Sequence, residues 1–186
     1  MVPTVEWKNG RVRLLDQSRL PGTVEFIDCN DYKTVADAIR TLKVRGAPAI
    51  GVTAAMGVAL GAQTIATTDY PSFAQAVGTI CDELAATRPT AVNLFWAIDR
   101  MRKKLEPLQG QSVSTIKQVL ISESQAILEE DIALCKTMGR HGAGLIQDGQ
   151  TILTHCNAGS LATAGYGTAL GVIRAAWEQG KKINVI

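Results

Sequence analysis

Aromatic side chains are scarce in this sequence, with three each of Phe, Trp and Tyr among 186 residues. A β-sandwich relies on aromatic and β-branched residues to fill its pleated faces, so this composition points elsewhere. Alanine and glycine are plentiful instead, which suits closely packed helices. No block of one charge exists: 19 Lys and Arg stand against 17 Asp and Glu, a net charge of +2. That excludes the basic footprint of a nucleic-acid binder, and the short cluster from Arg100 to Lys104 reads as a solvated helix face. Histidine occurs only at 141 and 155, and the cysteines at 29, 81, 135 and 156 contain no close pair. A zinc site needs clustered ligands, so no metal is expected. Separate, unpaired thiols suit a reducing, cytoplasmic setting. The first ten residues hold Glu6, Lys8 and an Asn-Gly pair, and do not read as a signal peptide.

One apolar run covers 47–66, long enough to raise the question of a membrane span. Small residues dominate it and Gln63 interrupts it, which fits a buried helix better than a lipid-facing one. With 46% hydrophobic and 19% charged residues, the chain can build a substantial core.

Along the chain, alternating residues on either side of Asn9-Gly10 predict a β-hairpin, since that dipeptide tolerates the positive φ of a tight turn. A further strand is expected over 24–27. Asp31 is placed to cap a helix carrying Val35, Ala38, Ile39 and Leu42, which runs toward Arg45-Gly46-Ala47-Pro48. Gly46 permits a left-handed exit, and Pro48 suits the first turn of the Ala/Gly-rich helix that follows. Helices are expected over 72–86, 91–105 and 114–138, the last with Ile116, Leu120, Ile127, Ile132 and Leu134 on its apolar stripe. Glycines at 139, 142 and 144 then mark a break. Beyond it, the pattern reads strand 151–154, loop, helix 161–179 and strand 183–186, one β-α-β unit of a parallel sheet. Two such strands cannot stand alone, so the chain reads as a fragment or one part of a split protein. The expected fold class is a mainly helical α+β domain with a β-hairpin over 1–148, followed over 149–186 by the first β-α-β unit of a Rossmann-like α/β domain.

Three loops carry the chemistry. Thr154-His155-Cys156-Asn157-Ala158-Gly159-Ser160 lies between a predicted strand and a predicted helix start, where ligands gather in open α/β sheets. A helix dipole there would favour an anion and the thiolate of Cys156. Position alone fits a buried, inert cysteine as well. His155 is awkward as its base, because neighbouring residues on a strand point to opposite faces; a packing or hydrogen-bonding role suits it better. Glycines 165, 167 and 171 lie too far into the predicted helix for a dinucleotide fingerprint. Arg45-Gly46-Ala47 and Arg88 each precede a helix start, where a guanidinium and backbone amides can converge on a phosphate; a surface salt bridge is the plainer reading of either arginine.

In the stretches Arg45-Gly46-Ala47-Pro48-Ala49-Ile50-Gly51-Val52, Thr87-Arg88-Pro89-Thr90-Ala91-Val92-Asn93-Leu94 and Thr154-His155-Cys156-Asn157-Ala158-Gly159-Ser160-Leu161-Ala162-Thr163, the sequence resembles the methylthioribose-1-phosphate isomerases. The hairpin and Gly165-Tyr166-Gly167-Thr168-Ala169-Leu170-Gly171 match as well. The resemblance implies a helical domain followed by a Rossmann-like one, shared with regulatory subunits of translation initiation factor 2B and with ribose-1,5-bisphosphate isomerases. It implies an aldose–ketose isomerase of methionine salvage, a sugar-phosphate substrate, a homodimer, and neither a metal nor an organic cofactor. A second polypeptide would supply the rest of the second domain if the protein is split; no nucleic acid or membrane is implied. Cys156 then matches the family's catalytic thiol, and Arg45, Gly46, Ala47 and Arg88 its substrate-binding residues. The family's catalytic Asp falls beyond position 186. The alternatives are a ribose-1,5-bisphosphate isomerase and a non-catalytic regulatory subunit of the same superfamily.

Overall fold

A computed structural model describes residues 2–186. Strands β1 (Val5–Lys8), β2 (Arg11–Leu15) and β3 (Phe26–Cys29) form an antiparallel sheet in that order. Asn9 and Gly10 both take positive φ at the hairpin turn, as an Asn-Gly pair readily does. The third strand lies two residues beyond the predicted 24–27. Cys29 is the residue that buries itself opposite Val12, whereas Val24 stays 62% exposed.

Six helices follow: α1 (Tyr32–Arg40), α2 (Ala47–Thr64), α3 (Tyr70–Ala85), α4 (Val92–Leu105), α5 (Val113–Ala143) and α6 (Ala169–Glu178). The Asp31 carboxylate accepts the Thr34 amide at 2.8 Å and caps α1 as expected. Helix α1 stops at Arg40 rather than running on through Leu42, because Leu42 turns into the left-handed region at φ 61°. Asp69 and Ser112 cap α3 and α5 in the same way as Asp31.

The apolar run is a core helix. Residues 49–62 of α2 are all buried, and 78% of the helix lies inside the protein. Its neighbours come close because its side chains are small. A β-carbon on Gly51 would stand 2.8 Å from the Asn93 carbonyl of α4, and one on Gly57 3.0 Å from Val35 of α1. The large buried side chains Phe73, Leu84, Leu94, Met101, Ile116 and Leu120 surround this centre.

Helix α5 is 31 residues long, about 46 Å at 1.5 Å per residue. It passes through Gly139 and Gly142, which the sequence pattern treats as breakers. Both serve α6 instead: a β-carbon on Gly139 would sit 2.8 Å from the Gly171 carbonyl, and one on Gly142 2.6 Å from the Val172 side chain. Leu134, expected on the apolar stripe, is 67% exposed. The basic cluster of α4 is paired rather than simply solvated. Arg100 holds Glu123 and both oxygens of Glu130 on α5, and Lys104 joins Glu123 at 2.8 Å.

Strands β4 (Thr151–Ile152) and β5 (Asn184–Val185) pair in parallel, with α6 between them in sequence. Their ladder continues through the Thr154 amide to the Ile186 carbonyl at 2.9 Å. The predicted helix over 161–179 is shorter than expected. A 3-10 turn at Ser160–Ala162 gives way to a folded loop, and the α-helix begins only at Ala169. Ala175, Ala176, Ala143 and Ile146 form a small second core, flanked by Ile152, Val172 and Ile183.

Because Leu120 is fully buried between α2 and its neighbours, Leu120→Ala is expected to cost about 2–5 kcal/mol. Urea denaturation followed by far-UV circular dichroism measures this; a loss below about 0.5 kcal/mol contradicts the packing.

Candidate functional site

Gly46 is the N-cap of α2, at φ 100° and ψ 135°, a backbone state that glycine alone enters without strain. Its α-carbon lies flat against the backbone of Ala162, and a β-carbon there would collide with it. The segment 45–47 and the end of the segment 154–163 are therefore in direct contact. Pro48 occupies the first turn of α2, where its missing amide costs nothing.

Gln17 ties the same two segments. Its backbone amide donates to the Lys43 carbonyl at 2.8 Å, and its side-chain amide donates to the Leu161 carbonyl at 2.8 Å. The Arg45 guanidinium reaches the Gln17 carbonyl at 3.5 Å, a long contact for an otherwise exposed side chain. The Thr4 hydroxyl donates to the Ser160 carbonyl at 2.9 Å. Both Thr4 and Gln17 are buried polar residues of the N-terminal sheet region, committed to holding this loop.

Helix α5 holds the other side. The Asp131 carboxylate accepts the Ala164 amide at 2.7 Å, and burial pushes that carboxyl above its ordinary range. One turn on, burial and the Asp131 charge push the Cys135 thiol up to about 11. Thr163 and the Gly167 amide bond toward that sulfur and partly offset the rise. Within the loop, the Gly165 and Gly167 amides donate to the Thr163 hydroxyl, and the Thr168 amide donates to the Ala158 carbonyl. Gly167, at φ 95°, packs on the Gly159 backbone. Glycines 165 and 167 thus shape this loop rather than lying inside a helix.

Cys156 sits on the exposed rim of this structure at φ 72°. A non-glycine residue held there costs about 1–3 kcal/mol, and such strain gathers at functional sites. The buried, inert alternative for Cys156 is ruled out by its exposure; the other three thiols are buried. The helix dipole expected to act on Cys156 is not there, because α6 starts only at Ala169. His155 is exposed, so the packing role expected of it is not filled. The Thr154 hydroxyl is buried and makes no hydrogen bond among the described residues.

Arg88 lies on the turn before α4 and is partly buried. Unlike Arg100 and Arg102, neither it nor Arg45 belongs to an ion pair among the described residues, so the salt-bridge reading fails for both. Between the starts of α2 and α4 and the middle of α5 lies a cavity of about 390 Å³, lined by Pro48, Val92, Asn93, Trp96, Ile127 and Asp131 among others. Sequence reasoning missed this cavity, along with Gln17, Thr4 and Asp131. Nothing in their local pattern announces them, because each acts on a segment far away in the chain.

A helical layer around a buried small-residue helix, joined to a β-α-β unit with an exposed cysteine on its first loop, defines the class. The chain belongs to the initiation factor 2 subunit family, whose model matches residues 43–186. It is 59% identical over 98% of its length to the methylthioribose-1-phosphate isomerase of Geobacter metallireducens, and covers 53% of that protein. A crystal structure of 5-methylthioribose 1-phosphate isomerase from Pyrococcus horikoshii superposes with a TM-score of 0.92 at 33% identity, over 100% of this chain and 60% of that one. The translation initiation factor eIF-2B, subunit delta, from A. fulgidus superposes with a TM-score of 0.88 at 43% identity, over 100% and 54% respectively. The chain spans about half the length of the curated relatives it matches.

Gly46→Ala is expected to separate the 45–47 and 160–162 segments, since the added methyl meets backbone and forces a strained φ. Hydrogen exchange at the Ala162 and Ala164 amides reads this directly. Unchanged protection in the variant contradicts the contact.

Proposed function

We propose that the full-length protein is an aldose–ketose isomerase converting 5-methylthioribose 1-phosphate to 5-methylthioribulose 1-phosphate, a step of methionine salvage. The observation that carries this reading is the 59% identity to the Geobacter metallireducens isomerase over nearly the whole chain. The three segments quoted above all lie within that stretch.

In this reading Arg45, Gly46, Ala47 and Arg88 hold the substrate, chiefly its phosphate. The start of α2 offers backbone amides beside the Arg45 side chain, and a phosphate suits that combination. Phosphorylation of the anomeric oxygen keeps the sugar ring closed. The ring oxygen therefore takes a proton as its bond to C1 breaks. The hydrogen on C2 then moves to C1, and the C2 hydroxyl loses its proton to become the ketone. Cys156 serves this transfer either as a thiolate taking the C2 proton or by stabilising charge beside a migrating hydride. A neutral carboxylic acid in an apolar setting suits ring protonation; the family resemblance puts that Asp outside residues 1–186. No metal or organic cofactor enters this chemistry.

The division at 148/149, a Rossmann-like sheet begun by β4 and β5, a homodimer and a cytoplasmic location belong to the same reading. A second polypeptide completing that sheet belongs to it only if the protein is split. A regulatory subunit is the second reading, favoured by the 43% identity to the A. fulgidus initiation-factor subunit. Turnover separates the two.

Cys156→Ser in the full-length protein is expected to abolish turnover nearly completely while substrate binding, measured by calorimetry, stays close to wild type. Wild-type turnover in that variant refutes the assigned role. Arg88→Ala is expected to weaken binding by about 1.5–3 kcal/mol for each charge-assisted hydrogen bond lost. Unchanged affinity removes Arg88 from the phosphate site.

A further inference from the structure

We propose that the cavity between α2, α4 and α5 is the subsite for the uncharged thioether end of the substrate, and that its lining selects against a second phosphate. This rests on the isomerase reading given above and adds to it a specificity determinant.

The cavity touches two of the three segments assigned to chemistry and is linked to the third through Asp131. Pro48 follows Ala47 directly on α2, while Val92 and Asn93 close the stretch that begins at Arg88. Asp131, on the α5 wall, bonds the Ala164 amide just past the Cys156 segment. A ligand whose phosphate lies at the start of α2 can therefore direct its other end here.

The lining chemistry names that end. Val52, Ile127 and Leu134 supply aliphatic surface, and Trp96 supplies an aromatic ring. Sulfur of a thioether is polarisable and packs well against aromatic edges. The polar lining is Asn93 and two acids, Glu130 and Asp131, and it includes no lysine or arginine. Arg100 occupies both oxygens of Glu130 from outside the lining, and the Ala164 amide occupies one oxygen of Asp131. A phosphate entering here would meet two carboxyl groups, while the one guanidinium at this wall, Arg100, is already held by both Glu130 oxygens and stands over the Trp96 ring, an arrangement that disfavours a doubly charged group. A methylthio group loses nothing by meeting the same wall. At about 390 Å³ the space is within the range of small-ligand sites and takes the substituent with part of the ring that bears it.

Leu134 and Trp96 are 67% and 51% exposed, so changing them leaves the buried core intact. The test measures kcat and KM of the full-length wild type, Leu134→Glu and Trp96→Ala. The substrates are methylthioribose 1-phosphate, ribose 1-phosphate, which carries only a hydroxyl at C5, and ribose 1,5-bisphosphate. Each variant is expected to lose about tenfold or more in kcat/KM for the thioether substrate, mainly through KM, while ribose 1-phosphate changes by about twofold or less. Equal losses for both substrates would mark this wall as packing surface and overturn the subsite. Wild-type turnover of the thioether substrate with unaltered selectivity in both variants overturns this inference alone. Absence of wild-type turnover of that substrate overturns the isomerase reading and this inference with it.

Discussion

Everything in this structure depends on how closely helices approach α2. Half of its 18 side chains are methyl groups or hydrogens, so α1, α3, α4 and α5 can pack close to its backbone. Larger residues at Gly51 or Gly57 would push α4 or α1 outward, since their neighbours already stand near van der Waals limits. That close packing sets the position of the N-terminus of α2, which carries Arg45, Gly46 and Ala47, and of the N-terminus of α4, which follows Arg88. The proposed phosphate-binding loops thus start from positions set by the core, and the 45–47 loop adds the Gly46 contact with Ala162.

The loop bearing Cys156 is held differently. It forms only a single 3-10 turn, and bonds within it are joined by contacts from outside. Thr4 and Gln17 take its carbonyls from the sheet side, while Asp131 takes an amide from the α5 side. Buried polar groups on the supporting elements are satisfied only when the loop is in place, so loop and scaffold stabilise each other. Gly46 completes the clamp by letting two backbones touch. Strain at Cys156 is then sustained by contacts distributed over the loop that follows it.

Electrostatics serves the same architecture. The basic cluster of α4 is consumed by acids, with Arg100 bridging to Glu123 and Glu130 across the α4–α5 interface. Arg45 and Arg88 stand apart from every such ion pair among the described residues, and they are the arginines next to helix starts.

Much of the framework is legible locally. The hairpin follows from Asn9-Gly10, the cap of α1 from Asp31, the start of α2 from Gly46 and Pro48, and four helices from their apolar spacing. Departures occur where distant segments intervene. Gly139 and Gly142 look like breakers in isolation but admit α6, and the turns at Gly165 and Gly167 depend on Thr163 and Gly159 rather than on helix propensity. Leu134 fits the apolar stripe but lines a cavity and is 67% exposed. For the site, the motifs name Arg45, Gly46, Ala47, Arg88 and Cys156, and tertiary structure alone brings Gly46 onto Ala162 and commits Gln17, Thr4 and Asp131 to the loop. Sequence alone settles which residues carry reactive groups and where α1 to α5 begin, though not α6, since capping, turn chemistry and periodicity are short-range. Which groups meet is a matter of tertiary structure, because those contacts join residues 33 positions apart for Asp131 and Ala164 and 144 apart for Gln17 and Leu161, through backbone atoms that carry no signature in the sequence.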